Sequence, residues 1–109
     1  PVHYQVRFTR TLDSSEFEVL PEVRRLVRFR RLSLFDEAPL KVLDLILCRN
    51  VFIYFDREEQ ARALERFQGA LARGGYLVLG RSEKLSAEAA RCLEVVDGRE
   101  RVYRKPART

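Results

Sequence analysis

The chain has no methionine and no tryptophan, one histidine, two cysteines and no long apolar run. Each scarcity excludes something. No stretch approaches the ~20 apolar residues that span a bilayer, so membrane insertion is not expected. The opening residues Pro1-Val2-His3-Tyr4-Gln5 lack the apolar centre of a secretory signal, which leaves a cytoplasmic location as the expectation. Cys48 and Cys92 lie far apart, form no Cys-x-x-Cys pair and have only His3 as a possible imidazole partner. No metal site is expected, and both thiols should be reduced. The five glycines are Gly69, Gly74, Gly75, Gly80 and Gly98, and none stands in Gly-x-Gly-x-x-Gly spacing. A chain of 109 residues that begins at Pro1 without any methionine is expected to be a segment of a longer product.

Charge, by contrast, is plentiful. Charged residues make up 34% of the chain, with 21 Lys+Arg against 16 Asp+Glu, and 46% is hydrophobic. That balance describes an ordinary folded chain with a heavily solvated surface. Positive charge gathers at Arg24, Arg25, Arg28, Arg30 and Arg31, and again at Arg99, Arg101, Arg104, Lys105 and Arg108. A nucleic-acid footprint competes here with a solvated basic face. Most aromatics sit in apolar patterns rather than between the arginines, so no nucleic-acid partner is expected.

The periodicities give an order of elements. Tyr4, Val6 and Phe8 alternate, a polar stretch Thr11–Ser15 intervenes, and Phe17 and Val19 resume, which predicts a β-hairpin over about 4–20. Pro21 opens a short helical turn through Val23 and Leu26. Val27 to Leu34 alternates and predicts a strand, ended by Asp36, Glu37 and Pro39. The run Val42–Cys48 is nearly all apolar, as in a strand covered on both faces. Asp56 and Glu59 hold the N-cap and N3 positions of a capping box, and Ala61, Leu64, Phe67 and Leu71 follow at helical spacing. Gly74-Gly75 is expected to stop that helix. Tyr76–Leu79 is a second short apolar strand, Ser86–Leu93 a brief helix, and Val95–Tyr103 a closing antiparallel hairpin around Asp97-Gly98.

Strand, helix and strand at this spacing make a βαβ unit, so the two central strands are parallel. In open α/β sheets ligands sit beyond the carboxyl ends of the strands. Arg49 and Asn50 follow the first strand at that edge, with Tyr54 on the same loop. Gly80, Arg81, Ser82 and Glu83 follow the second. Structural readings compete at each position. Asn50 could satisfy loop backbone groups, Arg49 could pair with Asp44 or Asp56, and Tyr54 could be a core aromatic with a wet hydroxyl. Ser82-Glu83 is read as a loop and cap, and Cys48 as a small buried residue.

Cys48-Arg49-Asn50-Val51-Phe52-Ile53-Tyr54-Phe55-Asp56 resembles the signature of the CheR-type protein-glutamate methyltransferases. Phe29 to Phe35, Gly74-Gly75-Tyr76-Leu77, Gly80-Arg81-Ser82-Glu83 and Val102-Tyr103-Arg104-Lys105 resemble further blocks of that family in register. Tyr4 to Val27 looks like the small β-subdomain before the strand.

The resemblance implies an α/β, partial Rossmann-like methyltransferase fold over residues 1–109. A hairpin subdomain occupies about 4–20 and an α/β part 27–109. The first two strands and the glycine-rich loop, which lie upstream in the family, are missing. It implies S-adenosyl-L-methionine as cofactor, contacted by Ser33, Leu34, Arg49 and Asn50, with Arg49 and Tyr54 at the reaction centre. Ser33 stands where the family usually has Asn. It also implies methyl esters formed on glutamates of chemotaxis receptor cytoplasmic helices. With the site incomplete, the isolated chain is expected to be inactive. Strand 42–48 becomes an apolar edge through which a homodimer is possible. The alternative is a truncated, non-catalytic relative that docks a receptor or another partner.

Overall fold

The structure is a computed structural model that describes residues 9–12, 16–35, 41–86 and 88–107. The chain divides between Arg31 and Leu32 into two compact units.

In the first unit, β1 (Thr9–Thr11) pairs antiparallel with β2 (Phe17–Val19). Residues 4–8 and the loop 13–15 of the expected hairpin lie outside the described residues. Arg10 and Glu18 face one another in the register, and Arg10 Nε donates to Glu18 at 2.7 Å. Such a cross-strand ion pair favours this register over a slipped one. A single helical turn, α1 (Pro21–Arg24), follows with proline in its first turn.

Beyond α1 the expectation fails. Val27 to Leu34 belongs to no strand, and the Phe29 side chain is 95% exposed. Alternation alone does not make a strand. The backbone needs a neighbour to exchange hydrogen bonds with, and none of the described segments supplies one.

The second unit is a four-stranded sheet in the order β3 (Leu43–Cys48), β4 (Leu71–Leu79), β6 (Val102–Arg104), β5 (Glu94–Asp97). β3 and β4 are parallel, with Ile46 opposite Leu77 and Cys48 opposite Leu79. A 3-10 turn (Phe52–Tyr54) and α2 (Arg57–Ala70) make the crossover. A second 3-10 turn (Ala89–Cys92) precedes β5, which pairs antiparallel with β6. β6 in turn pairs antiparallel with β4.

The expected capping box starts α2. Asp56 Oδ1 accepts the Glu59 N–H at 2.8 Å, and the Glu59 carboxylate accepts the Asp56 N–H at 3.1 Å. Gln60 then ties the preceding turn down by donating to the Phe52 and Phe55 carbonyls. The buried face of the helix, Ala63, Leu64 and Phe67, joins Leu77, Leu79, Leu71 and Phe52 in the core. Phe52 and Phe67 stack with ring centroids 6.0 Å apart. Each of these buried leucines and phenylalanines is worth roughly 1.5–3 kcal/mol.

The glycine pair does not stop the helix. α2 ends at Ala70, Leu71 is already extended, and β4 runs through Gly74 and Gly75. The glycines let this strand bulge. Leu43 faces Leu71 while Leu45 faces Tyr76, so β4 carries extra residues between those pairs. Gly74 takes a left-handed φ of 83°, and a Cβ on Gly75 would meet the Ala72 and Leu43 carbonyl oxygens at 2.9 Å.

β3 also departs from its expected environment. Ile46 and Cys48 face the helix layer, but Leu45 and Leu47 on the other face are 52% and 65% exposed. Among the described residues nothing covers that face. No described helix is long and apolar enough to cross a membrane.

Candidate functional site

Because β3 and β4 are adjacent and parallel, the residues that follow them emerge on one rim of the sheet. Arg49-Asn50 and Gly80–Glu83 meet there. The meeting point is the Glu83 carboxylate, only 5% exposed. Its Oε1 accepts the Asn50 N–H at 2.6 Å and the Gly80 N–H at 2.7 Å, and its Oε2 accepts the Ile53 N–H at 3.1 Å. Three backbone donors from two loops thus compensate one buried charge. Asn50 sits at φ 63°, in the left-handed region that asparagine tolerates better than most residues. Gly80 packs directly against it. A Cβ there would run into Asn50 Oδ1 and come within 2.7 Å of Glu83 Oε1.

Arg49, Asn50 and Tyr54 are all exposed, Tyr54 to 80%. Tyr54 is therefore not a core aromatic. Among the described residues Arg49 pairs with neither Asp44 nor Asp56. The nearby ion pair is Arg81 with Glu100, a fork with contacts of 2.9 and 2.6 Å. Hydrogen bonding from Arg81 is the main reason the Glu100 carboxyl lies below its usual range, and the Arg49 charge adds a smaller push. Arg101 braces the same loop by donating to the Arg81 carbonyl at 2.9 Å and the Gly98 carbonyl at 2.7 Å. Burial, and then the Glu83 charge, raise the Cys48 thiol above its ordinary value.

Ser33 and Leu34 are placed differently. The Ser33 hydroxyl accepts the Phe35 N–H at 3.2 Å, and Leu34 packs against the core. Phe35 is anchored to α2, its carbonyl accepting Arg66 Nη1 at 2.8 Å and its ring lying under the Arg62 guanidinium. Among the described residues no hydrogen bond joins Ser33 to the Arg49-Asn50 tip. No group of three or more His, Cys, Asp or Glu among the described residues could hold a metal ion.

Sequence reasoning missed the centre of this site. It read Ser82-Glu83 as a loop and cap, counted Arg101 only in a basic cluster, and passed over Glu100. The available signal was the Gly-x-x-Glu spacing just past an apolar strand.

A family model described as CheR methyltransferase, SAM binding domain, matches residues 1–102. A probable chemotaxis protein methyltransferase of Rhizobium etli is 44% identical over 75 residues, covering 68% of this chain and 28% of that protein. Chemotaxis protein methyltransferase 1 of Pseudomonas aeruginosa is 48% identical over 69 residues, covering 62% and 25%. An uncharacterized 104.1 kDa protein of Rhodobacter capsulatus is 37% identical over 103 residues, covering 94% of this chain and 11% of its own length. The chain spans less than a third of each of these relatives.

Proposed function

This chain belongs to the CheR methyltransferase family, and we propose that it forms the carboxyl-terminal wall of the S-adenosylmethionine site in a protein-glutamate O-methyltransferase. The proposed acceptors are glutamate side chains on chemotaxis receptor helices, as the resemblance of the Cys48–Asp56 block implies; the names of its relatives say chemotaxis protein methyltransferase. The observation that carries the reading is the single rim at which Glu83 joins the ends of β3 and β4, leaving Arg49, Asn50 and Tyr54 free to face a ligand.

The residues present suit part of the donor. Its amino-acid end bears a carboxylate that the Arg49 fork can grip. Its sugar and base offer hydroxyls and ring nitrogens to Asn50, whose side chain makes no hydrogen bond among the described residues. Ser33 and Leu34 would line the adenosine end. A glycine-rich turn is absent from these 109 residues, so the remainder of the site is assigned to the rest of a larger domain. The sheet supports this, because parallel α/β sheets are covered on both faces and here Leu45 and Leu47 lie open.

The bound donor supplies an electrophilic sulfonium methyl. The glutamate carboxylate is anionic near neutral pH, so no general base is needed and alignment does most of the work. Tyr54 can donate a hydrogen bond to the incoming carboxylate, and Arg49 can offset its charge. When bound, the donor would give up its methyl to the carboxylate oxygen and leave as a neutral thioether, with Arg49 and Tyr54 holding the carboxylate that becomes the methyl ester.

The test is transfer of labelled methyl from S-adenosylmethionine to a receptor cytoplasmic fragment by the intact protein that carries these residues. The expected result is base-labile label released as methanol, lowered at least about tenfold in Arg49→Ala. An intact protein that binds the donor yet labels no receptor carboxylate overturns the substrate assignment. Calorimetry on the 109 residues alone should detect no binding at donor concentrations that saturate the intact protein. Equal affinity would overturn the divided site.

A further inference from the structure

Glu83 carries more structure than an ordinary loop carboxylate. It is 5% exposed, and no described cation pairs with it. A carboxylate so placed is costly unless its oxygens are fully engaged. Here they are engaged by main chain alone, with Asn50 and Gly80 on one oxygen and Ile53 on the other. The three donors belong to the tip of β3, the 3-10 turn that carries Tyr54, and the end of β4.

We infer that Glu83 is the positioning residue of the rim: its carboxylate sets the backbone from which Arg49, Asn50 and Tyr54 present their side chains to the methyl donor and acceptor. The inference rests on the function proposed above.

The geometry gives the reason. Asn50 at φ 63° occupies the left-handed region, which a side chain disfavours, though less for asparagine than for most residues. Such a conformation persists only where its surroundings hold it. Glu83 holds its N–H, and the bare α-carbon of Gly80 allows the close approach. Charge-assisted bonds of this kind are short and directional, so they fix angle as well as distance. The Ile53 bond passes the same constraint to Tyr54, one residue on. Glu83 is almost wholly buried, so it acts through these neighbours.

Glu83→Gln is the informative change. A carboxamide keeps the volume but has one acceptor oxygen. If that oxygen serves Asn50 and Gly80, an NH2 group is turned toward the Ile53 N–H. Amide-resolved hydrogen exchange on the intact protein reads the clamp directly. In the wild type, the Asn50, Ile53 and Gly80 amides should exchange slowly although their acceptor is a side chain; rapid exchange of all three overturns the clamp without any variant. In Glu83→Gln, Ile53 exchange should accelerate at least about tenfold while the Leu77 and Tyr103 amides stay protected. S-adenosylmethionine affinity, measured well below the melting transition, should weaken about tenfold or more. A variant that melts earlier but binds the donor as wild type does overturns the positioning role. If Glu83→Gln does not fold, Gly80→Ala displaces the same contact from the other side and should weaken donor binding comparably; unchanged binding is again fatal. A wild type with protected amides but no affinity for the donor would instead sink the proposed function and leave the clamp standing.

Discussion

Lys105 Nζ donates to the Gln68 carbonyl at 2.7 Å, across 37 positions of sequence. The same ammonium donates to the Leu71 carbonyl at 2.9 Å. The last carbonyls of a helix lack partners within it, and α2 has no basic residue in its own last turn. Lys105 therefore caps from a distant strand end, where a cation also meets the negative end of the helix dipole. Its backbone secures the glycine bulge too, since the Gly74 N–H donates to the Lys105 carbonyl and the Lys105 N–H to the Gly75 carbonyl. Lys105→Met keeps the stem and removes the charge. Urea unfolding should give a loss of about 1–2 kcal/mol. A midpoint equal to wild type would show that the cap contributes nothing.

Arg81 and Glu100 form an exposed pair whose pH dependence has a definite sign. The Arg81 hydrogen bond holds the Glu100 carboxyl below its ordinary value. A depressed folded pKa gives a contribution present above the unfolded value, near 4.5, and lost as pH falls through the folded one. Carbon-detected titration should place the Glu100 midpoint below that of an unpaired glutamate. Arg81→Gln should move it upward, and raised salt should narrow the gap because the pair is solvated. A midpoint indifferent to both changes would mean the fork does not persist in solution.

How much of this arrangement could be read beforehand depends on how local its causes are. The Asp56–Glu59 box is a four-residue device and produced the expected helix start. The apolar run to Cys48 produced β3, and the parallel rule then put Arg49 and Asn50 on the rim, where their roles are proposals. Elsewhere the cause is distant. Val27 and Phe29 alternate correctly, but a strand needs a partner that no alternation encodes. Gly74 and Gly75 look like a helix stop, while their use is a bulge beside Leu43 and a turn beside Lys105. In a chain that is 34% charged, the Gly-x-x-Glu spacing past β4 is the one local mark that sets Glu83 apart. Its burial follows from the approach of β3 to β4, which that spacing does not encode.

The two thiols should differ in reactivity. Cys48 is buried, and its thiol is pushed up first by desolvation and then by Glu83. Cys92 is exposed. Alkylation needs both the thiolate and access. Iodoacetamide at neutral pH should label Cys92 at least about tenfold faster than Cys48 by peptide mass spectrometry, because the buried thiol is both shielded from the reagent and held further from ionisation. Denaturant should abolish the difference. Equal native rates would imply that the β3 tip opens readily, and with it the rim.

The outer edge of β3 should govern how the 109 residues behave alone. β3 is the first strand of the sheet and pairs only with β4 among the described residues. Its other side offers unpaired backbone donors and acceptors beside Leu45 and Leu47, which are more than half exposed. Such an edge recruits another strand. A second copy can supply it antiparallel. Centred on Ile46, this pairing sets Leu45 of one copy opposite Leu47 of the other and Asp44 opposite Cys48, so no like charges face each other. Light scattering coupled to size exclusion should find a concentration-dependent dimer. Leu45→Lys with Leu47→Lys should give a monomer, because edge lysines oppose pairing. The helix layer lies on the opposite face, so the double variant should keep its circular dichroism. A wild-type monomer at all accessible concentrations would show that Leu45 and Leu47 tolerate water without a partner strand.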